Sequence, residues 1–316
     1  MRNFYLHSMK NLYLILALLG VIGCASQSDQ KAATVNLPTG AEAISFSGKP
    51  LYARKPDSMV VRKSDSLMNI LKSKPSLSED DYVEIGRLLF TENRYRDAIE
   101  NYTEGISKYP ESFKLYRWRG HRYINLRRID DAIEDLNKAR DLMASQPEAM
   151  EVGGDGKPTA TTQHQVWYHI GIYHYLMKDY ASCAAAFEKA LAATTEPNNI
   201  AGASDWLYNA YQRMGETAKA ENVLTPFTLD YPIEDKTYPY FRRLLLFKKL
   251  ITPEELVDAT MDPARMTVQD MTKLYGLANF FAYNGNPEQA NELYKKVLLT
   301  DQWVGFAYAG AELDVK

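Results

Sequence analysis

The chain has 316 residues, 46% hydrophobic and 24% charged, a composition that buries a sizeable core and excludes a disordered or fibrous chain. Lys and Arg number 37 against 40 Asp and Glu, for a net charge of -3, so the basic footprint of a nucleic-acid binder is missing. The cysteines are Cys24 and Cys183 alone, too few for a disulfide framework or a cysteine zinc site.

Residues 12–23 (LYLILALLGVIG) form an uncharged, mostly apolar run behind Lys10. That is too short for the roughly 20 residues of a spanning helix and has the length of a signal-peptide core. The run ends in Val21-Ile22-Gly23-Cys24, which resembles the cleavage motif of bacterial lipoproteins. The resemblance implies a signal peptide over 1–23, cleavage before Cys24 and acylation of the Cys24 thiol. Attachment to the membrane follows, each buried CH₂ of an acyl chain contributing about 0.8 kcal/mol. Ala25 is not the Asp associated with inner-membrane retention, so the same resemblance implies the outer membrane, with the body facing the periplasm. Met9 is a better start than Met1, because it sets Lys10 directly against the apolar core. Residues 24–41 are small and polar and are expected as a flexible tether. In 42–78 the alternation of Ile44, Phe46 and Leu51 around Gly48-Lys49-Pro50 predicts an extended segment, followed by a helix over 64–74, both packing on the body.

From residue 79 the chain repeats itself. Gly86 is followed by Ala98, Tyr102, Gly105 and Pro110, and the same intervals from Gly120 reach Ala132, Leu136 and Ala139. A third unit carries Trp167, Gly171, Cys183, Phe187 and Ala190. A fourth has Leu207, Tyr211, Ala220, Leu224 and Pro232, and a later one Leu274, Ala278, Phe281, Ala290, Tyr294 and Val297. Small residues at the Gly86 and Ala98 type of position let two helices approach closely, and the large residue of the Tyr102 type is expected to fill the gap between neighbouring units. The period and the residues resemble the tetratricopeptide repeat, two antiparallel helices per unit. The fold implied is all-α, a right-handed superhelical solenoid with units 79–112, 113–146, 164–197 and 201–234, a degenerate unit 235–270 and a last unit 271–304. The degenerate unit contains a helix-like run and the helix start Thr252-Pro253-Glu254-Glu255. A helix over 303–313 is expected to cap the last unit.

Residues 147–163, rich in Gly, Pro and Thr, interrupt the array as a loop able to bend over the groove. The run Gly153 to Thr159 fails as a phosphate-binding loop, since its spacing is wrong and Pro158 stands where Mg²⁺ needs a hydroxyl. Arg119 lies on the apolar stripe of the second unit and is expected to lay its stem along the core edge with the charge at the surface. His164, His169 and His174 are five residues apart, which on a helix turns consecutive members to faces roughly 140° apart. They cannot converge on one ion, and His174, on the stripe of Leu89 and Tyr123, reads as a core histidine. Cys183, in the place of Ala98 and Ala132, reads as a small buried hydrophobe. Catalytic motifs such as H-E-x-x-H and G-x-S-x-G are missing, so no catalytic residue, cofactor or metal is expected. An enzyme using His121 and the insertion is the weaker reading.

In the tetratricopeptide family one face of each first helix lines a concave groove. Here that face supplies Arg87, Arg117, His121, Asn125, Tyr168, Tyr175, Asn209 and Arg213, pointing away from the packing stripe. Guanidinium and amide donors beside aromatic rings suit a protein or peptide ligand. Val83 and Arg87 stand where some members carry the Lys and Asn that clamp the acidic end of chaperones, so that partner is not expected. The expectation is a lipid-anchored protein-interaction scaffold. An accessory lipoprotein of an outer-membrane assembly or glycan-uptake complex is the alternative, by analogy of architecture.

Overall fold

The computed structural model describes residues 37–148, 150–152 and 158–316. The expected signal peptide, Cys24 and the expected tether up to residue 36 lie outside the described residues, as does the middle of the insertion. None of the helices described is long and apolar enough to cross a membrane.

Local signals start the helices, the first of them at Ser58, six residues ahead of the expected 64–74. Asp57 accepts from the N–H groups of Met59 and Val60 at 2.7 and 3.3 Å and opens α1 (Ser58–Lys72). Ser78 and Asp81 form a reciprocal capping box at the start of α2 (Glu79–Thr91), satisfying two backbone donors that the first turn leaves unpaired. Antiparallel pairs then follow: α2 with α3 (Tyr95–Lys108), α4 (Phe113–Asn125) with α5 (Ile129–Met143), and α6 (Thr162–Leu176) with α7 (Tyr180–Ala192). Next come α8 (Pro197–Met214) with the shorter α9 (Thr217–Leu224). In the degenerate unit α10 (Pro239–Phe247) keeps its helix and packs between α8 and α12 (Val268–Tyr283), while the Thr252–Glu255 capping box starts only the single turn α11 (Pro253–Leu256). α12 pairs with α13 (Pro287–Val297). The turn inside each pair uses one left-handed residue, Asn93, Arg127 and Lys178 in the first three at φ near 60°. A β-carbon there is strained by about 1 kcal/mol.

The large residue of each repeat packs inside its own unit, which corrects the expectation that it bridges neighbours. Tyr102 lies on Gly86, Leu136 on Gly120 and Phe187 on Gly171, where an added Cβ would stand 2.6 Å from the Phe187 ring. The glycine is the hole and the side chain sixteen residues later is its plug. Cys183 is fully buried among these contacts, and burial pushes its thiol well above the ordinary range.

Two further elements bring the ends of the body together. The extended segment is a hairpin of β1 (Ala41–Ile44) and β2 (Pro50–Tyr52). The C-terminal helix α14 (Phe306–Asp314) packs on α12 and α13 and also reaches α6. The Trp303 indole N–H donates to the Tyr52 carbonyl at 2.7 Å, the Phe46 N–H donates to Glu312 at 3.2 Å, and Arg54 pairs with Asp301 at 2.8 Å. From the other side Arg96 donates to the Ala41 carbonyl at 2.7 Å. The insertion, expected as a loop, holds a second hairpin of β3 (Met150–Val152) and β4 (Pro158–Thr161) that runs straight into α6. Thr161 makes that junction: its hydroxyl accepts from His164 N–H at 3.0 Å and donates to Ala193 at 2.8 Å.

Candidate functional site

Arg117 and Arg122 of α4 gather with Arg87 of α2 around Trp118, beside the insertion hairpin. Arg117, 1% exposed, stacks its guanidinium 3.9 Å from the centre of the Trp118 ring and pairs with Glu151 of the insertion hairpin. Arg122, 3% exposed, lies 3.8 Å from the Phe90 ring centre and 5.6 Å from that of Trp118, and donates to His121 Nδ1 at 2.6 Å. Arg87 approaches the same Trp118 ring at 5.6 Å and donates to the Val152 carbonyl at 2.9 Å. Trp118 is therefore the π surface of three guanidinium groups. The Nε atoms of Arg117 and Arg122 and one oxygen of Glu151 make no hydrogen bond. Burial pulls the Arg117 guanidinium well below its ordinary pKa and that of Arg122 down to about 10, with the other arginines pushing the same way. Three arginines against two carboxylates, Glu151 from the hairpin and Glu84, which Arg87 bonds at 3.0 Å, leave this corner with excess positive charge.

His121 belongs to the same corner. Its ring lies 4.1 Å from that of His169 and 5.1 Å from Phe306 of α14. Burial, then Arg122 and His169, hold the His121 imidazole well below its usual pKa, and burial and Arg117 do the same for His169. Both rings are neutral at pH 7. The neighbours of His121 are cations, aromatic rings and a second neutral histidine.

Farther along, the groove is occupied by the protein's own C-terminal segment. Asn125 donates to the Val304 carbonyl at 2.7 Å, and Arg127 binds Glu312 through two nitrogens, each at 3.1 Å. Arg213 donates to Asp314 at 2.5 Å, and Tyr275 reaches the same carboxylate at 2.8 Å. Tyr175 meets Tyr275 hydroxyl to hydroxyl at 3.1 Å. Asn209 accepts from Asn279 at 2.8 Å and from Tyr283 at 2.9 Å, and Tyr168 accepts from the Trp206 indole at 2.9 Å. Below this network Asp205 and Arg243 form an ion pair of 2.9 Å with no exposed surface.

The eight groove candidates therefore divide. Arg87, Arg117 and His121 come together at α2 and α4 under the insertion hairpin. Asn125, Tyr168, Tyr175, Asn209 and Arg213 are engaged by other parts of the same chain. The expectation that these side chains point away from the packing is corrected: Arg117, Asn125, Tyr175 and Asn209 are buried, Arg117 against β3, Asn125 against the segment leading into α14, and Tyr175 and Asn209 against α12. Two single-residue expectations also change. Arg119 keeps its charge inside a two-pronged bond to Asp135, 2.7 and 2.8 Å, instead of at the surface. His174 is half-buried beside Asp179 at 3.2 Å, whereas His164 and His169 are the buried histidines. Among the described residues no group of three His, Cys, Asp or Glu side chains is placed to hold a metal ion.

Sequence reasoning missed Arg122, Trp118, Glu151, Glu312 and Asp314. Arg122 sits two residues after Gly120, outside the repeat's groove positions, and the only signal was a cation in a helix stretch otherwise read as core. Glu312 lay in a helix read as a cap of the last unit, and Asp314 one residue beyond the expected end of that helix.

No curated protein matches the sequence at a significant level. Tetratricopeptide repeat models match residues 83–147 and 164–196. Among solved structures, the APC/C hetero-tetramer Cut9–Hcn1 is similar at 13% identity and a TM-score of 0.50, over 75% of this chain and 43% of that one. A tetratricopeptide repeat protein from Parabacteroides merdae is similar at 14% identity and a TM-score of 0.44, over 75% and 84% of the two chains. YrrB, described as a TPR protein with an unusual peptide-binding site, is similar at 14% identity and a TM-score of 0.39, over 75% and 92%. Identities this low speak to fold alone. With its helix pairs, its glycine-and-plug packing and two stretches that match the repeat, the chain carries tetratricopeptide repeats in an all-α solenoid.

Proposed function

We infer that this chain is a non-enzymatic protein-interaction scaffold, held at an envelope membrane through acylated Cys24, that receives an acidic segment of a protein partner at the α2–α4 corner. Tetratricopeptide solenoids are a fold used for binding proteins and peptides. The observation that carries the ligand's chemistry is Arg122, an almost wholly buried cation with no carboxylate partner among the described residues, next to Arg117 and Arg87. A buried charge without its counterion is costly, and an anionic ligand offsets that cost. Glu151 of β3 supplies one such anion from within the chain.

The apolar run 12–23 and the Val21 to Cys24 motif support the anchoring half, and Ala25 favours the outer membrane. Each half has its own test. Cys24→Ser is expected to abolish incorporation of labelled palmitate; a variant that still takes it up refutes acylation at Cys24. For the ligand, arrays of envelope-protein peptides probed with the purified protein are expected to yield binders rich in Asp and Glu. Arg122→Met should weaken them by about 2 kcal/mol or more, and added salt should weaken them further. Binders without acidic residues, or a folded Arg122→Met that binds like the parent, exclude the reading.

A further inference from the structure

The first helix of the body leaves one face uncovered. α1 buries only Ser64 and Met68 against its neighbours. At 100° per residue Met59 and Ile70 lie on the opposite side and Leu67 at its edge, within an arc of about 80°, and they are 69%, 61% and 40% exposed. Arg62 and Lys63 lie on the same side, both exposed and, among the described residues, engaged by no carboxylate. Of the two acids nearby, Asp57 is held by the helix N-terminus it caps, and Asp65 stands on the flank. Apolar side chains interleaved with free cations along one stripe are the pattern of a helix lying in the boundary between water and an anionic bilayer.

We propose that α1 lies on the membrane surface, with Met59, Leu67 and Ile70 among the acyl chains just below the headgroups and Arg62 and Lys63 on anionic phospholipid. This rests on the anchoring reading above. Between Cys24 and Leu37 the chain reaches at most about 45 Å fully extended, so an acyl anchor at Cys24 keeps α1 at high effective concentration near the bilayer and a weak contact suffices. Three apolar side chains fall well short of the roughly 1,200 Å² that a stable protein interface buries, whereas a tethered helix needs no such area. Each basic residue at an anionic surface changes partitioning roughly fivefold.

The test uses the full acylated chain in vesicles, with an environment-sensitive fluorophore on Met59→Cys, on Ile70→Cys, or on Leu229→Cys as a distant exposed control. Cys183 is buried and does not take label, and the parent chain gives the background from any unacylated Cys24. On vesicles containing phosphatidylglycerol the probes at 59 and 70 are expected to shift to the blue and brighten severalfold, with the probe at 229 unchanged. Arg62→Glu with Lys63→Glu should weaken the partitioning of α1 roughly 25-fold or more and return both probes towards their lipid-free emission. Vesicle flotation reads anchoring separately. A chain that floats while both probes stay in water overturns the proposal and leaves anchoring intact, and so does a shift that is equal on neutral phosphatidylcholine. A chain that does not float refutes anchoring, and α1 is then judged by the same probes with vesicles in excess.

Discussion

Glu312 is where three distant parts of the chain meet, so Glu312→Gln measures how far the ends of the solenoid depend on each other. The carboxylate takes two bonds from Arg127 at 3.1 Å and one from the Phe46 N–H at 3.2 Å, and both charged side chains are 3% exposed. Glutamine keeps the shape and one acceptor but leaves the Arg127 guanidinium buried without its counterion. Removing one partner of such a pair costs about 3–5 kcal/mol. The remaining Arg127 bonds, to the Asn125 carbonyl at 2.5 Å and the Trp303 carbonyl at 2.8 Å, place the expectation at about 3 kcal/mol. In native-state hydrogen exchange that is more than a hundredfold faster opening of the amides at 41–52 and 303–314, with α6 and α7 little changed. The double variant Arg127→Met with Glu312→Met should be milder than either single change, because no orphan charge remains. Exchange that is unaltered at both ends, or accelerated evenly along the whole chain, refutes the reasoning.

The neutral histidines make stability depend on pH. His121 and His169 have folded pKa values below the ordinary 6.5, so the unfolded chain binds the extra protons. Their contribution is complete above pH 6.5 and is lost as pH falls, with a slope approaching about 1.4 kcal/mol per pH unit for each. Urea midpoints at pH 7.5 and 5.5 for the parent and His169→Gln should show the flatter profile in the variant. Gly171→Ala drives a methyl group into the Phe187 ring and should cost about 1–3 kcal/mol, part of which Phe187→Leu in the same chain recovers, as read from thermal midpoints. Asp205→Ala strands Arg243 in the core at a cost of about 3–5 kcal/mol. Asp205→Leu combined with Arg243→Met should unfold nearer the parent in urea.

The repeat was readable because its rule is local. Gly120 and Leu136, or Gly171 and Phe187, are sixteen residues apart and belong to one helix pair, so spacing alone exposes them. The closure was not readable, because it joins residues 266 apart at Phe46 and Glu312 and 251 apart at Tyr52 and Trp303, and no period links them. The site shows the same division. The family resemblance put Arg87, Arg117 and His121 on one face of successive first helices, and the structure brings them together at α2 and α4, but a rule for one unit cannot tell that α14 and β3 will lie against them. The hairpins escaped for a related reason. Gly, Pro and Thr at 147–163 mark where a helix array stops without stating what fills the gap, and a short antiparallel ladder is fixed by pairing partners as much as by its own composition.

The tied ends change how the body would carry a load. In an open stack of repeats each unit leans only on its neighbours, so a pull at one end peels units away in order. Here the chain enters at residue 37 beside a hairpin that is bonded through Glu312, Trp303 and Asp301 to the opposite end. Tension arriving there is shared between the first and last units from the outset, as in an arch closed by three bonds. The body should therefore resist until that joint gives way and only then unravel, with one initial yield point in place of a staircase.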